Sequence, residues 1–592
     1  MNIYKFRNAE YSIIPSLCTI LILIAPFISN AQSADSRQIE EGLSIYENSY
    51  IDQPYVLTLQ DGRWFCVFTT GPKSESGPGQ HIASMLSSNH GKSWSIPVNI
   101  EPDTGAISSW GIPYLTDYGR IYVFYNYNGD HISMVKDKPV KQAGLLGWYC
   151  YKYSDDNGKT WSARFRLPLK KTAVDFANDW KGDVQMFWGI DKPHMVRNNL
   201  FFAFTKLGKF PQSLGEGWFF SSDNIRYEKD ATKIHWTLMP FENKGVRNPS
   251  FGPVQEEFNS VTLSDNSIYC IYRTAMGFPA QTISRDGGVT WTHPLVASYT
   301  PKGQPFKNPR ACPRLFKCKN GKYLFWFHNH SGKDFKGRNP VWLSGGIEKN
   351  GTIYWSQPEI LLYGDSSING MSYPDLIEEN GKYWITETQK SKARVHTLDP
   401  ALLTGLWNQS TNNKVVKKGM MLNKTAINRS ISVPLLHLPS LKEGGFAVEL
   451  WTNCFEFTPG QILVDNRSEQ GKGFVITTAD SNRLRIQLSD GENAFSWTTD
   501  PELLQAKRLH HIVFNVDGES DILSIIIDGK LCDGGLFRQY GWGRFSSKLD
   551  DVNGKQLRLV PDFKGTIQRI RIYNRYLTTS EAISNFHAGP KI

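Results

Sequence analysis

Between about Gly42 and Trp407 the chain alternates short runs of β-branched and aromatic residues with clusters of Gly, Asn, Asp and Ser. Runs such as Arg120-Ile121-Tyr122-Val123-Phe124-Tyr125 and Ser267-Ile268-Tyr269-Cys270-Ile271-Tyr272 have the composition of strands. The clusters between them have that of turns. No low-complexity stretch interrupts the alternation, so this part of the chain reads as antiparallel β-structure.

One turn recurs. Ser154-Asp155-Asp156-Asn157-Gly158-Lys159-Thr160-Trp161 returns as Ser284-Arg285-Asp286-Gly287-Gly288-Val289-Thr290-Trp291, and a third copy spans Ser87 to Trp94 with Asn89 and Ser93 substituted. Worn copies begin at Ser344, reaching Trp355, and at Ser221, whose Trp is delayed to Trp236. The first serines lie at 87, 154, 221, 284 and 344, a spacing that signals repeated supersecondary units. In each, Asp at the third position can cap the N–H groups of the following turn, Gly at the fifth supplies a positive φ, and Trp at the eighth packs beneath it. The turns are clips between strands, which predicts the blades of a β-propeller. Five clips, with a last blade carrying Met371 to Thr388 and completed by the strand near Tyr55 to Leu59, give six.

Asn408 to Lys418 is polar and poorly periodic, a linker. Beyond it Gly445–Thr452, Leu509–Val516 and Leu523–Leu531 read as strands, the last ending at an Asp528-Gly529 hairpin turn. Gly565 to Tyr573 alternates cleanly, and Thr578-Thr579-Ser580-Glu581 opens one short helix with a capping box. The predicted organisation is all-β: a signal peptide over 1–31, a six-bladed propeller over 42–407, a linker over 408–419 and a β-sandwich jelly roll over 420–592. At 592 residues two or more cores are expected.

Lys5 and Arg7, an apolar run centred on Leu17 to Ile28 and then Ser29-Asn30-Ala31 have the form of a secretory leader cleaved near Ala31. The mature protein is then expected to be secreted, periplasmic or on the cell surface, with no remaining membrane span. The seven other cysteines are odd in number and scattered, neither a disulfide framework nor a zinc signature. A formal charge of +10 without a long basic run argues against nucleic acid and is compatible with acidic glycans. No cofactor or metal is expected; His510 and His511 are strand neighbours facing opposite ways, and His328 with His330 lacks a third ligand in its segment.

The clip resembles the Asp-box of the sialidase superfamily, and 420–592 resembles a laminin-G or concanavalin-like module. The propeller resemblance extends to residues that carry chemistry. A Glu ahead of a strand ending in Arg corresponds to Glu256-Glu257 and Arg273. A second Arg before a later box corresponds to Arg338, and a Tyr followed by a strand ending in Glu corresponds to Tyr373 and Glu387. The resemblance implies that Tyr373 attacks an anomeric carbon with Glu257 as its base, Glu256 being the alternative, since a phenol is otherwise a poor nucleophile at neutral pH. It implies further that Arg273 and Arg338 hold a substrate carboxylate and that Glu387 orients a polar neighbour. The family's first arginine is replaced, because Asp52-Gln53 stands there, so Gln53 enters the expected binding set and the acidic sugar is expected not to be ordinary sialic acid. No Asp occupies Gly71 to Ala83, where the family has its acid/base; His81 is the expected substitute. Arg310 and His330 complete the expected binding residues.

These residues point to an exo-glycosidase releasing a terminal acidic sugar from a complex glycan. The rivals are a polysaccharide lyase on a uronate-containing glycan, in which Tyr373 with His81 or His330 abstracts a proton, and a non-catalytic glycan-binding protein.

Overall fold

The computed structural model describes residues 1, 35–365, 370–434 and 436–591. The expected leader falls on residues outside the described ones. From Asp35 onward the chain forms one compact unit. Among the described residues no helix is long and apolar enough to cross a membrane.

Six antiparallel sheets of four or five strands follow one another along the chain. Their first strands are Tyr50–Thr58 (sheet I), Ser108–Leu115 (II), Phe187–Trp188 with His194–Val196 (III), Gln255–Thr262 (IV), Arg314–Lys317 (V) and Leu376–Glu379 (VI). A separate cluster of buried apolar side chains joins each sheet to the next. Val67 and Ile82 of sheet I meet Val123 of sheet II; Phe124 meets Phe202; Phe219 meets Phe258; Tyr269 meets Phe325; Leu324 meets Ile385. The sixth seam returns to the start, with Ile377 and Val395 of sheet VI packed on Trp64 and Phe68 of sheet I. Sheet VI gains its fourth strand from Leu43–Glu47, whose Leu43 pairs with Val395. The segment Tyr55 to Leu59, expected in that role, instead pairs within sheet I, because its alternating side chains already feed two seams.

The recurring turns work through their first serine. The Ser154 Oγ accepts from the Gly158 N–H at 2.8 Å, and Asp156 accepts from the Thr160 N–H at 2.9 Å and from its hydroxyl at 2.6 Å. Ser284 and Asp286 repeat the set with Gly288 and Thr290. Gly158 and Gly288 have φ of 83° and 100°. The tryptophans do more than pack beneath the turn: Trp291 stacks at 4.2 Å on Phe219 of the preceding sheet, and Trp161 lies 6.1 Å from Phe65. In the worn copy at 344, the Ser344 hydroxyl caps nothing.

Residues 420–573 form a seven-stranded and a six-stranded sheet around one apolar core that includes Phe446, Phe474, Ile486 and Phe514. Ile527 pairs with Lys530 across the Asp528-Gly529 turn, and the Thr578–Glu581 capping box opens helix Thr579–Ala588. The outer face of the seven-stranded sheet buries Val513, Ile526 and Tyr573, and the helix Thr579–Ala588 buries Ile583, against Trp342, Trp355 and Tyr363 of sheet V and its following loop. Glu359 seals this contact by accepting from the N–H groups of Thr579 and Ser580, and burial raises its pKa to about 7. The seven described cysteines are free and buried.

Candidate active site

The first strand of sheet IV is broken by a bulge between Glu256 and Asn259, where Glu257 adopts φ 56°. The same device recurs at Gln53 (φ 51°) in sheet I and Trp110 (φ 57°) in sheet II, and Tyr373, just ahead of sheet VI, has φ 49°. A positive φ outside glycine costs energy. It is retained here because a bulge turns one side chain out of the strand's two-residue alternation.

Two of these four side chains meet. The Tyr373 hydroxyl donates to Glu257 Oε1 at 2.8 Å, and both residues are buried. Burial, reinforced by the Glu257 charge, raises the Tyr373 pKa well above its ordinary value. Burial also raises that of Glu257 against the opposing pull of Arg273 and Arg338. A carboxylate pushed up toward a phenol is a better acceptor for the phenol's proton. Glu257 Oε2 has no partner, and Gln53 Oε1 and the indole nitrogens of Trp110 and Trp188 are likewise buried and unpaired. Trp188 lies 6.5 Å from the Tyr373 ring and 5.4 Å from Trp110. Among the described residues the Gln53 side chain donates only to the Gly189 carbonyl, at 3.4 Å.

The arginines are arranged differently from the expected clamp. Arg273 spends Nη1 on Glu257 at 2.7 Å and Nη2 on Glu256, so the two carboxylates already occupy its fork. Glu256 also accepts from Arg310 at 3.2 Å, which makes it a partner of arginines and leaves Glu257 as the group on Tyr373. Arg338 donates to Ser372 at 2.7 Å and to the Arg310 carbonyl at 2.9 Å. All three guanidinium groups surround Phe335, at 5.8 Å for Arg273, 4.4 Å for Arg310 and 5.4 Å for Arg338. Phe335 is 49% exposed and forms the outer cover of this cluster.

On the other flank, Lys390 lies 4.6 Å over the Tyr373 ring and donates to Asp52 at 2.6 Å; Tyr50 donates to the same carboxylate at 2.9 Å. Glu75 stands 3.8 Å from the Lys390 ammonium, with its side chain about one third exposed. Burial raises the Asp52 pKa, Lys390 opposes this, and Glu75 adds to it.

Two expected residues, His81 and His330, are engaged elsewhere. His81 sits on the third strand of sheet I, its Nδ1 on the Gly79 carbonyl at 2.8 Å and its Nε2 3.1 Å from the Asn99 amide; no hydrogen bond joins it to Tyr373 or Glu257. His330 donates from Nε2 to the Gly337 carbonyl at 2.7 Å, accepts at Nδ1 from Gly332, and stacks 4.7 Å from Tyr540 of the C-terminal sandwich. Burial lowers its pKa to about 4, and it serves as a fastener of the loop carrying Phe335. Glu387 lies 3.4 Å from both Arg394 and His396, an arginine and a polar neighbour that it orients. Glu75 and Lys390 went unread in the sequence. Glu75 lies within the loop Gly71 to Ala83, where a carboxylate one methylene longer than Asp is its signal; nothing local marks Lys390.

A BNR repeat-like domain model matches residues 62–385, and a concanavalin A-like lectin/glucanases superfamily model matches residues 428–582. No curated protein matches the chain. Among solved structures, a Trypanosoma rangeli sialidase in complex with sialic acid is 13% identical with a TM-score of 0.42, covering 91% of this chain and 93% of that one. The intramolecular trans-sialidase from Ruminococcus gnavus is 14% identical with a TM-score of 0.43, covering 61% and 96%. The Hadza microbial sialidase Hz136 is 16% identical with a TM-score of 0.42, covering 60% and 68%. With its repeat model spanning more than half of its length, the chain belongs to the BNR repeat-like domain family and carries behind that domain a concanavalin A-like one.

Proposed function

We propose that the protein is a secreted, sialidase-like glycoside hydrolase that removes a terminal acidic sugar from a complex glycan. Its six sheets (42–407) are the blades of a closed propeller, followed by a linker (408–419) and a lectin-like sandwich (420–592), with the leader cleaved near Ala31. The observation that carries the reading is the 2.8 Å hydrogen bond from Tyr373 to Glu257, made by two residues that both hold positive φ. Glu257 takes the phenolic proton as the tyrosine attacks the anomeric carbon, and Arg273 steadies the carboxylate. A neutral nucleophile suits an anionic substrate better than a third carboxylate would.

With both Nη atoms of Arg273 committed to Glu256 and Glu257, the groups left to receive a substrate carboxylate are Arg338 and Arg310. Glu75 is the proton donor to the leaving group, in place of the expected His81. Entry of a sugar displaces Lys390 from the Tyr373 ring and Phe335 from the guanidinium cluster.

A second reading, glycan binding without turnover, is favoured by one observation: Tyr373 is only 4% exposed. Incubating the purified protein with sialyl, uronate-capped and neutral oligosaccharides and weighing the products separates the readings. Hydrolysis gives a saturated sugar, elimination a product lighter by one water, and simple binding no product. Release from acidic glycans that vanishes in Tyr373→Phe is the expected outcome; full activity in that variant would end the proposal.

A further inference from the structure

The first strands of the sheets have a second end. Where Asp52, Glu257 and Tyr373 mark one end, residues further along the same strands (Val56–Thr58, Ser260–Leu263, Leu376–Ile377), joined by His194–Met195 and Arg314–Lys317, line a cavity of about 840 Å³.

Arg314 projects from the first strand of sheet V and is 2% exposed. Among the described residues its guanidinium makes no hydrogen bond: Nε and Nη1 are buried without a partner, and one ion pair, 3.6 Å to Asp191 Oδ1, is its link to an acid. Asp191 does little to relieve this. Its oxygens already accept from the Ala203 N–H at 2.9 Å, the Ser260 hydroxyl at 2.8 Å and the Ser260 N–H at 3.1 Å. A guanidinium has five donors, and buried donors left unmet are rare because each forfeits its hydration.

His194 lines the same cavity with both ring nitrogens buried, and the Lys192 backbone is its one hydrogen-bonding neighbour among the described residues. Burial lowers its pKa to about 4, so it stands as a neutral donor and acceptor. Around these two the balance of charge is cationic. Lys317, Lys319 and Arg197 line the cavity with Arg314 and Lys192, against Asp191, Asp375 and Glu378. Lys192 and Asp375 satisfy each other at 2.7 Å, whereas Lys317 donates at 2.8 Å to the Thr262 carbonyl, a neutral acceptor.

We propose that this cavity is an anion-binding site, distinct from the Tyr373–Glu257 centre, in which Arg314, His194 and Lys317 receive a carboxylate or a tetrahedral oxyanion. Arg314 supplies the fork that matches two oxygens of such a group, His194 a neutral hydrogen bond, and Lys317 the charge at the rim. The cavity is large enough to take a sugar acid or a sulfated sugar whole. The site makes no use of Tyr373 and stands whether or not the protein turns over glycans.

Crystals grown with sodium selenate give an anomalous signal that locates the anion, and calorimetric titration with selenate and with glucuronate, against sodium chloride of equal ionic strength, measures affinity. The expected result is selenate, or glucuronate in a parallel crystal, within hydrogen-bond reach of Arg314. Affinity for the bound anion is expected to be at least tenfold weaker in Arg314→Met and in His194→Phe, and unchanged in Arg226→Met, which alters a surface arginine paired with Asp117. Binding of glucuronate alone identifies a carboxylate ligand, and of selenate alone a tetrahedral one. Ordered water alone at Arg314 with both anions overturns the proposal. So does an affinity that His194→Phe and Lys317→Ala leave untouched, two variants that keep the site open to refutation if removal of Arg314 prevents folding.

Discussion

Tyr373 and Glu257 are two strained residues held against each other, and each explains the other's retention. Neither positive φ is needed for sheet formation, and each costs about 1 kcal/mol or more. Removing the hydroxyl alone, in Tyr373→Phe, is expected to lower kcat by roughly 10³-fold or more while leaving substrate binding nearly intact, checked by turnover alongside calorimetric affinity. For the proton donor, Glu75→Gln is expected to cost about 10²–10⁴-fold on a natural glycan and much less on an activated aryl glycoside, whose leaving group needs no proton. His81→Ala is expected to change neither rate beyond a few-fold, since its ring contacts lie within its own sheet. The dyad was legible through the resemblance to the sialidase superfamily, because Glu257, Arg273, Arg338 and Tyr373 stand in the order of that family's pattern. The partners of Arg273 were not legible: only the bulge brings Glu256 and Glu257 onto one guanidinium. His330 misled for the opposite reason, since beside Gly332 and Gly337 it is held by Gln539 and Tyr540, which lie about two hundred residues away.

The recurring turn was readable residue by residue because its hydrogen bonds are local, all within a few positions. What the sequence does not carry is the direction in which its tryptophan reaches, toward the preceding sheet. Trp291→Ala therefore removes a contact between sheets, the 4.2 Å stack on Phe219, and is expected to destabilise the fold by about 2 kcal/mol or more. Asp156→Ala, which breaks a partly exposed cap, is expected to cost about 1 kcal/mol; thermal denaturation of the two variants tests the ranking. The helix Thr579–Ala588 gives a pH-dependent element. Glu359 at its N-terminus holds a pKa of about 7 in the folded protein, mainly through burial, above the value of about 4.3 expected when unfolded. The folded state thus binds the extra proton between these values. The stability linked to Glu359 is full below about pH 4, declines as pH rises, and is gone above about pH 7. Melting temperatures of the parent and of Glu359→Gln, followed from pH 5 to pH 8, check this: the variant, with that carboxyl removed from the titration, is expected to show the flatter profile.

Across the whole molecule, the C-terminal sandwich is more than an appendage, because it holds part of the proposed site's cover. The loop from His330 to Arg338 carries Phe335 and is pinned by Tyr540, by Gln539 and by the Trp542 indole on the Asn329 carbonyl. A chain ending at Lys418 would expose Trp342, Trp355 and Tyr363 and release that loop. Its melting temperature is expected to fall, and its affinity for acidic glycans to fall with it; unchanged affinity in a folded truncation would separate the two parts. A repeat domain and a sandwich were each legible from their own strand runs and turns, but the buried face between them was not, since both sides read as ordinary strands.

The pairing of Leu43–Glu47 with Lys392–Leu398 sets an order of events for the newborn chain. The strand that completes the last sheet is synthesised before the other five sheets, and its partner emerges only after them. Until then it can join no native ladder, and the seam of Ile377 and Val395 against Trp64 and Phe68 stays open. Bringing such distant segments together is entropically the slowest kind of contact to form. During that interval an unpaired edge and an apolar seam face the surroundings together, the combination that invites pairing with another copy. Assembly of this protein is therefore most exposed to failure at its final joint, and a chain lacking Leu43–Glu47 would carry that exposure permanently.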